Sequence, residues 1–179
     1  MQIFLSYANE QRAVADELAL ALRERDHEVF LDRDDLESGT GYNTHIEKAI
    51  KEADLMVFLI SPQSVEPGRY TLTELAFARK HWRTANRKLV PVMVKPTDMS
   101  LIPAFVKSVN IVIPQGNVVA ETAAAVDEQR GLEYAVTVGM KVSAIAVAFG
   151  LLSGFSFGDC RSFRITILTL SGSSISSAG

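Results

Sequence analysis

Six consecutive apolar residues, Leu55-Met56-Val57-Phe58-Leu59-Ile60, constrain the fold of this chain more than any other feature. A strand with one wet face alternates apolar and polar side chains, whereas an unbroken apolar run implies cover on both faces. Such strands belong to parallel sheets layered between helices. The rest of the chain must then supply more short strands and amphipathic helices in alternation.

It does so in order. Gln2 to Tyr7 reads as a first buried strand. Asn9 is placed to cap a helix, with Arg12 standing where a capping box would carry Glu. Val14, Leu18, Leu20, Ala21 and Leu22 then recur at the spacing of an amphipathic helix to about Arg25. Val29-Phe30-Leu31 is the second strand, followed by a polar, Gly-containing loop over 33–42. Ile46, Ala49 and Ile50 mark a second helix, and Leu55 to Ile60 is the third strand. A loop with Pro62, Pro67 and Gly68 precedes a helix from about Tyr70 to Trp82. Lys88 to Val94 gives a fourth strand, placed near an edge because Pro91 has no N–H for the ladder. Val109 to Ile113 reads as a fifth strand, and a closing helix runs from Val118 to about Arg130. The alternation predicts an α/β domain with a five-stranded parallel sheet, helices on both faces and right-handed crossovers. Ligands of such sheets bind outside the carboxyl ends of the strands, where Tyr7, the Asp32 loop and Ser61 fall.

Composition bounds the rest. The 179 residues suit one domain, expected over 1–130, plus an appendage over 131–179. A net charge of −3 leaves no electrostatic footprint for nucleic acid. A single cysteine, Cys160, has no internal partner for a disulfide, and the N-terminus lacks the pattern of a signal peptide. Both fit a cytoplasmic protein. Val142 to Gly158 carries no charge. As a helix it would span about 25 Å, against roughly 30 Å for a bilayer core. Extension back to Leu132 supplies the length but sets Lys141 mid-span, at about 2.5–3.5 kcal/mol. Membrane helix (132–158, tethering the chain to the inner membrane), oligomerisation helix and remnant all remain open for it. No internal repeat is present.

Glu74 is the leading candidate for chemistry. It lies at the start of a helical pattern behind the third strand, four residues after the aromatic Tyr70. That arrangement at a sheet's carboxyl edge suits a positively polarised sugar better than a metal. The plain alternative is an exposed acid favoured by the helix dipole. Tyr70 shares a helix face with Glu74 and reads either as a ring that packs on a ligand or as a core aromatic. Tyr42, after Gly39-Thr40-Gly41, stacks on a flat ring or staples the start of a helix. Asp32 and Arg33 end the second strand, and Arg33 is either a phosphate contact or a solvated loop charge. Ser6 and Ser61 end the first and third strands, placed to hold a ligand or a neighbouring backbone group. Gly39-Thr40-Gly41 lacks the third glycine and the downstream acid of a dinucleotide fingerprint. His27, His45 and His81 have no metal spacing and read as surface residues, and no metal site is expected.

Four segments together resemble Toll/interleukin receptor (TIR) domains. Ile3-Phe4-Leu5-Ser6-Tyr7 is similar to their first box, and Val29-Phe30-Leu31-Asp32 with Leu36-Glu37-Ser38-Gly39 to their second box and its long loop. Leu59-Ile60-Ser61 and Tyr70 to Leu75 resemble the stretch that carries the glutamate of TIR enzymes. Tyr70 stands where many members have Trp, the loop proline of receptor members is missing, and the Phe-Trp pair of the third box has no match, so the likeness is to bacterial members. The resemblance implies a flavodoxin-like domain over roughly residues 1–130. It also implies one of two activities. Some members cleave the nicotinamide–ribose bond of NAD+, as hydrolases or cyclases, and many of those act in anti-phage defence. Others are non-catalytic scaffolds, or mimics that bind host TIR proteins. For an enzyme, the resemblance implies Glu74 as catalytic residue, NAD+ as substrate rather than cofactor, and activation by TIR–TIR self-association through the loop 33–42.

Overall fold

The computed structural model describes residues 1–31 and 42–131, with the side chain of Tyr42 excepted. The elements run β1 (Gln2–Ser6), a 3-10 turn (Asn9–Gln11), α1 (Arg12–Arg23), β2 (Glu28–Leu31), α2 (Tyr42–Glu52), β3 (Leu55–Ile60), α3 (Tyr70–His81), β4 (Leu89–Met93), a short α4 (Ala104–Lys107) and α5 over 118–131. The strands form one parallel sheet in the order β2-β1-β3-β4.

Alternation along the strands divides the core in two. Ile3, Leu5, Leu55, Val57, Leu59, Val90 and Val92 face α1 and α5, where they meet Leu18, Leu22, Ala123 and Val126. Phe4, Met56, Phe58, Ile60 and Leu89 face the other way, against Ile46 and Ile50 of α2, Leu75 and Ala78 of α3, and Val106 of α4. All six residues of β3 are buried, as its apolar run demands. Phe4 also stacks on Phe30 of β2 with ring centroids 5.4 Å apart, which ties the outer strand to the centre.

The expected fifth strand shrinks to one bridge. Val112 donates its N–H to the Pro91 carbonyl at 2.8 Å, and Met93 donates to the Val112 carbonyl at 2.9 Å. In a parallel ladder the preceding bond would come from the N–H of residue 91 and the following one from that of residue 114. Both are prolines and have none. Pro91 is therefore compatible with β4 because its missing donor faces this frayed side, away from β3.

Two local expectations are corrected. Asn9 is no cap: it opens the 3-10 turn, and neither that turn nor α1 has a side-chain cap. The first helix stops at Arg23, where the chain turns through Asp26 at φ 61°. The apolar tail from 132 lies outside the described residues, and with it the expectation of a membrane or assembly helix. Among the described residues no helix is long and apolar enough to cross a membrane.

Candidate functional site

The chain crosses from β1 to β2 over one face of the sheet and returns from β2 to β3 over the other. The carboxyl ends of β1 and β3 are therefore where successive connections diverge, the usual position of a ligand crevice in open α/β sheets. Two serines stand there. Ser6 ends β1 opposite Phe58, and Ser61 directly follows β3. Both are fully buried.

Glu74 meets Ser6 at this point. It lies on the second turn of α3, and its Oε2 accepts a hydrogen bond from Ser6 Oγ. Its exposure is 2%, so it is not the solvated acid of a helix first turn. A carboxylate is rarely buried this deeply without a specific reason. The docking of α3 places it there, since Leu75 and Ala78 on the same helix pack into the core beneath the sheet.

Around Ser61 a polar web joins three elements. Ser61 Oγ donates to Gln11 Oε1 at 2.9 Å and accepts from the Ser64 N–H at 3.1 Å. The Ser61 N–H donates to Ser64 Oγ at 2.9 Å, which in turn donates to the Ser61 carbonyl at 3.1 Å. Thr71 Oγ1 then donates to the Ser64 carbonyl at 2.6 Å. Thr71 and Glu74 are three residues apart on the inward face of α3, so the web fixes the helix turn that carries the carboxylate. Tyr70 is half-buried against the apolar face formed by α2 and α3, and its hydroxyl donates to Asn43 Oδ1 at 2.7 Å. At the rim Arg69 pairs with Glu10 and Glu66, each at 3.0 Å. The Glu10 carboxyl is held below its ordinary range, first by its own backbone N–H and further by Arg69 and Lys95, against an opposing effect of burial.

Of the residues singled out in the sequence, the structure brings Glu74 and Ser6 into contact, ties Ser61 through Ser64 to Thr71 on the helix that carries Glu74, and bonds Tyr70 at the start of that helix to Asn43. Tyr7 is a core residue on the α1 face. Asp32 and Arg33 lie outside the described residues, and Tyr42 opens α2 with its side chain likewise outside them. Sequence reasoning missed Gln11, Asn43, Ser64 and Thr71. The Ser61-x-x-Ser64 spacing is a hydroxyl-turn signal that could have revealed one of them. His27 is corrected from surface to buried: its Nε2 pairs with Asp127 Oδ1 at 3.1 Å, while Arg25 holds Asp127 Oδ2 at 2.8 Å. Among the described residues no group of three or more His, Cys, Asp or Glu side chains is placed to hold a metal ion. A cavity of about 270 Å³ lined by Gln2, Glu28, Phe30, His45 and Lys48 sits by the amino ends of β1 and β2, away from Glu74.

A parallel sheet of order β2-β1-β3-β4 with a buried glutamate at its switch point defines a flavodoxin-like α/β domain with a buried polar cluster at its carboxyl edge. The chain belongs to the TIR domain family, whose model matches residues 3–130. The TIR domains of RPS4 and RRS1, solved as a heterodimer, are 17% identical with a TM-score of 0.53, over 72% of this chain and 98% of that one. A prokaryotic SEFIR domain is 19% identical with a TM-score of 0.53, over 72% of this chain and 96% of that one. The CMP N-glycosidase BcmB of Clostridium botulinum is 24% identical with a TM-score of 0.47, over 71% of this chain and 98% of that one. The first two likenesses are of fold. A comparison with curated protein sequences finds no match.

Proposed function

We propose that this chain cleaves the nicotinamide–ribose bond of NAD+, as a hydrolase or cyclase, and that self-association of its TIR domain switches the reaction on. The observation that carries this reading is the Glu74 carboxylate, buried at the switch point of the sheet and held by Ser6. Departure of neutral nicotinamide with the bonding electron pair leaves an oxocarbenium-like ribose. A carboxylate fixed against that carbon stabilises the charge more than it stabilises the substrate, which is the requirement for catalysis. Water then bonds to the ribose carbon and loses a proton to Glu74 or to solvent; in the cyclising case a ring nitrogen of the adenine bonds there instead, and the adenine amino group loses the proton to solvent. Ser6 restricts the carboxylate to one orientation, and the Tyr70 ring one helical turn away supplies a flat surface for the ribose or nicotinamide. Asp32, Arg33 and Tyr42 are assigned to substrate contacts from the loop that follows β2.

Burial of Glu74 also supports the regulatory half of the reading. A dinucleotide reaches a carboxylate that is 2% exposed only after a rearrangement, and docking of a second copy is the event proposed to bring it about. The test is Glu74→Gln, which keeps the shape and removes the charge. Nicotinamide release from NAD+ should disappear while the far-UV circular dichroism stays that of wild type, and wild-type specific activity should rise with protein concentration. Retained cleavage by the folded variant would refute the assignment.

A further inference from the structure

Two side-chain atoms at the carboxyl edge are buried without a hydrogen-bond partner among the described residues: Gln11 Nε2 and Gln63 Oε1. Gln11 is 2% exposed, in the turn after β1. Its other amide atom is committed, since Oε1 accepts from Ser61 Oγ. With Oε1 taken by Ser61, the NH2 end of the amide is left over. A buried donor without an acceptor is a standing cost to the fold, and native structures keep few of them. Gln63 lies in the turn that Ser61 and Ser64 close, so the second orphan is on the adjoining loop of the same edge. Two such atoms flanking one serine turn fit polar groups held for a polar ligand better than a single packing defect.

We propose that Gln11 is a substrate-binding residue whose Nε2 donates to an oxygen of the dinucleotide when it occupies the crevice beside Glu74. This rests on the NAD+ reading above. The chain of contacts from Gln11 through Ser61 and Ser64 to Thr71 ends one helical turn from Glu74, so the donor and the catalytic carboxylate are held by one web. Gln11 takes no part in bond breaking. It aligns the substrate and repels a group that offers only donors.

The experiment uses the full chain and NAD+ itself. The dissociation constant for NAD+ is measured by calorimetry in the Glu74→Gln background, with and without Gln11→Met, and KM and kcat for nicotinamide release are measured in the wild-type background. Loss of one neutral substrate hydrogen bond should weaken binding and raise KM about five- to tenfold, with kcat nearly kept. Unchanged binding and KM in a folded Gln11→Met protein would overturn the inference and leave the NAD+ reading standing. If Gln11→Met fails to fold, Gln11→Glu keeps an acceptor for Ser61 and removes the amide donor. Its NAD+ affinity should fall at pH 7 to 8, and wild-type affinity there would overturn the inference. If the wild-type chain neither binds nor cleaves NAD+, the proposed function fails first and the role of Gln11 falls with it.

Discussion

Ser6→Ala tests the link between the fold and the proposed chemistry most sharply. Ser6 is fully buried, and its hydroxyl donates to the Glu74 carboxylate. A hydrogen bond to a charged group contributes about 1.5–3 kcal/mol. The void left by one oxygen adds only a few tenths of a kcal/mol, at ~24 cal/mol per Å³ of cavity. The substitution should therefore cost about 2–3 kcal/mol, read as a lower urea midpoint with an unchanged m-value. In the Glu74→Gln background the same change breaks a neutral hydrogen bond, which contributes about 0.5–1.5 kcal/mol. The double-mutant cycle should thus show a coupling of about 1 kcal/mol. Activity gives an independent readout. If the 1.5–3 kcal/mol of orientation is realised in the transition state, nicotinamide release falls roughly 10- to 100-fold, at about 1.4 kcal/mol per decade. A cost under about 0.5 kcal/mol, or the same cost in both backgrounds, would show that Ser6 does not hold the carboxylate.

Further outcomes follow from other parts of the molecule. Burial alone would raise the Asp127 carboxyl, but hydrogen bonds from His27 and Arg25 hold it below its ordinary value of 3.8. Its contribution to stability should be fully present above that value and vanish as pH falls through the lower folded one. Melting temperatures between pH 2 and 6 should drop less steeply for Asp127→Asn than for wild type. Gly68 precedes α3 at φ 89°, with nothing within 4 Å of a Cβ placed there, so Gly68→Ala strains the backbone without a clash. A loss of roughly 1 kcal/mol in chemical denaturation is expected. Replacing Asp34 and Asp35 by Lys should reverse charge on the proposed association loop, weaken oligomers in light scattering and lower activity in a concentration-dependent way.

The strands and the two-sided core were legible because they depend on local pattern. Leu55–Ile60 reads as a central strand, and the helix periods set α1 and α3 to within two or three residues and marked α2 by Ile46, Ala49 and Ile50. The fifth strand was misread because propensity marks Val109–Ile113 as extended, whereas pairing depends on donors that Pro91 and Pro114 lack on two different segments. The site was legible in part. Glu74 stood out by position, yet its burial depends on the tilt of a whole helix, which no local pattern encodes. Gln11 gave no signal, because its partner Ser61 is 50 residues away and meets it only when β1 and β3 pair. His27 was misjudged for the same reason, since Asp127 lies 100 residues further along.

The placement of α3 also gives the proposed activation a physical route. The loop after β2 re-enters described structure at Tyr42, and the next residue, Asn43, accepts the hydrogen bond from Tyr70. Tyr70 is the first residue of α3, and Thr71 beside it is tied to the Ser61 turn. Any force on the loop that shifts the start of α2 therefore acts on the start of α3, one helical turn from Glu74. The rest of α3 cannot follow freely, because Leu75 and Ala78 are locked in a close-packed core that tolerates discrete rearrangements better than gradual deformation. Strain from a docked second copy would then concentrate in the first turn of α3, between the Tyr70–Asn43 bond and the core. In the proposed scheme that strain passes to Glu74 on the next turn and frees its carboxylate from Ser6. A chain with the apolar anchor of α3 intact but the Asn43 link cut, as in Asn43→Ala, should still assemble and yet gain less activity from assembly than wild type.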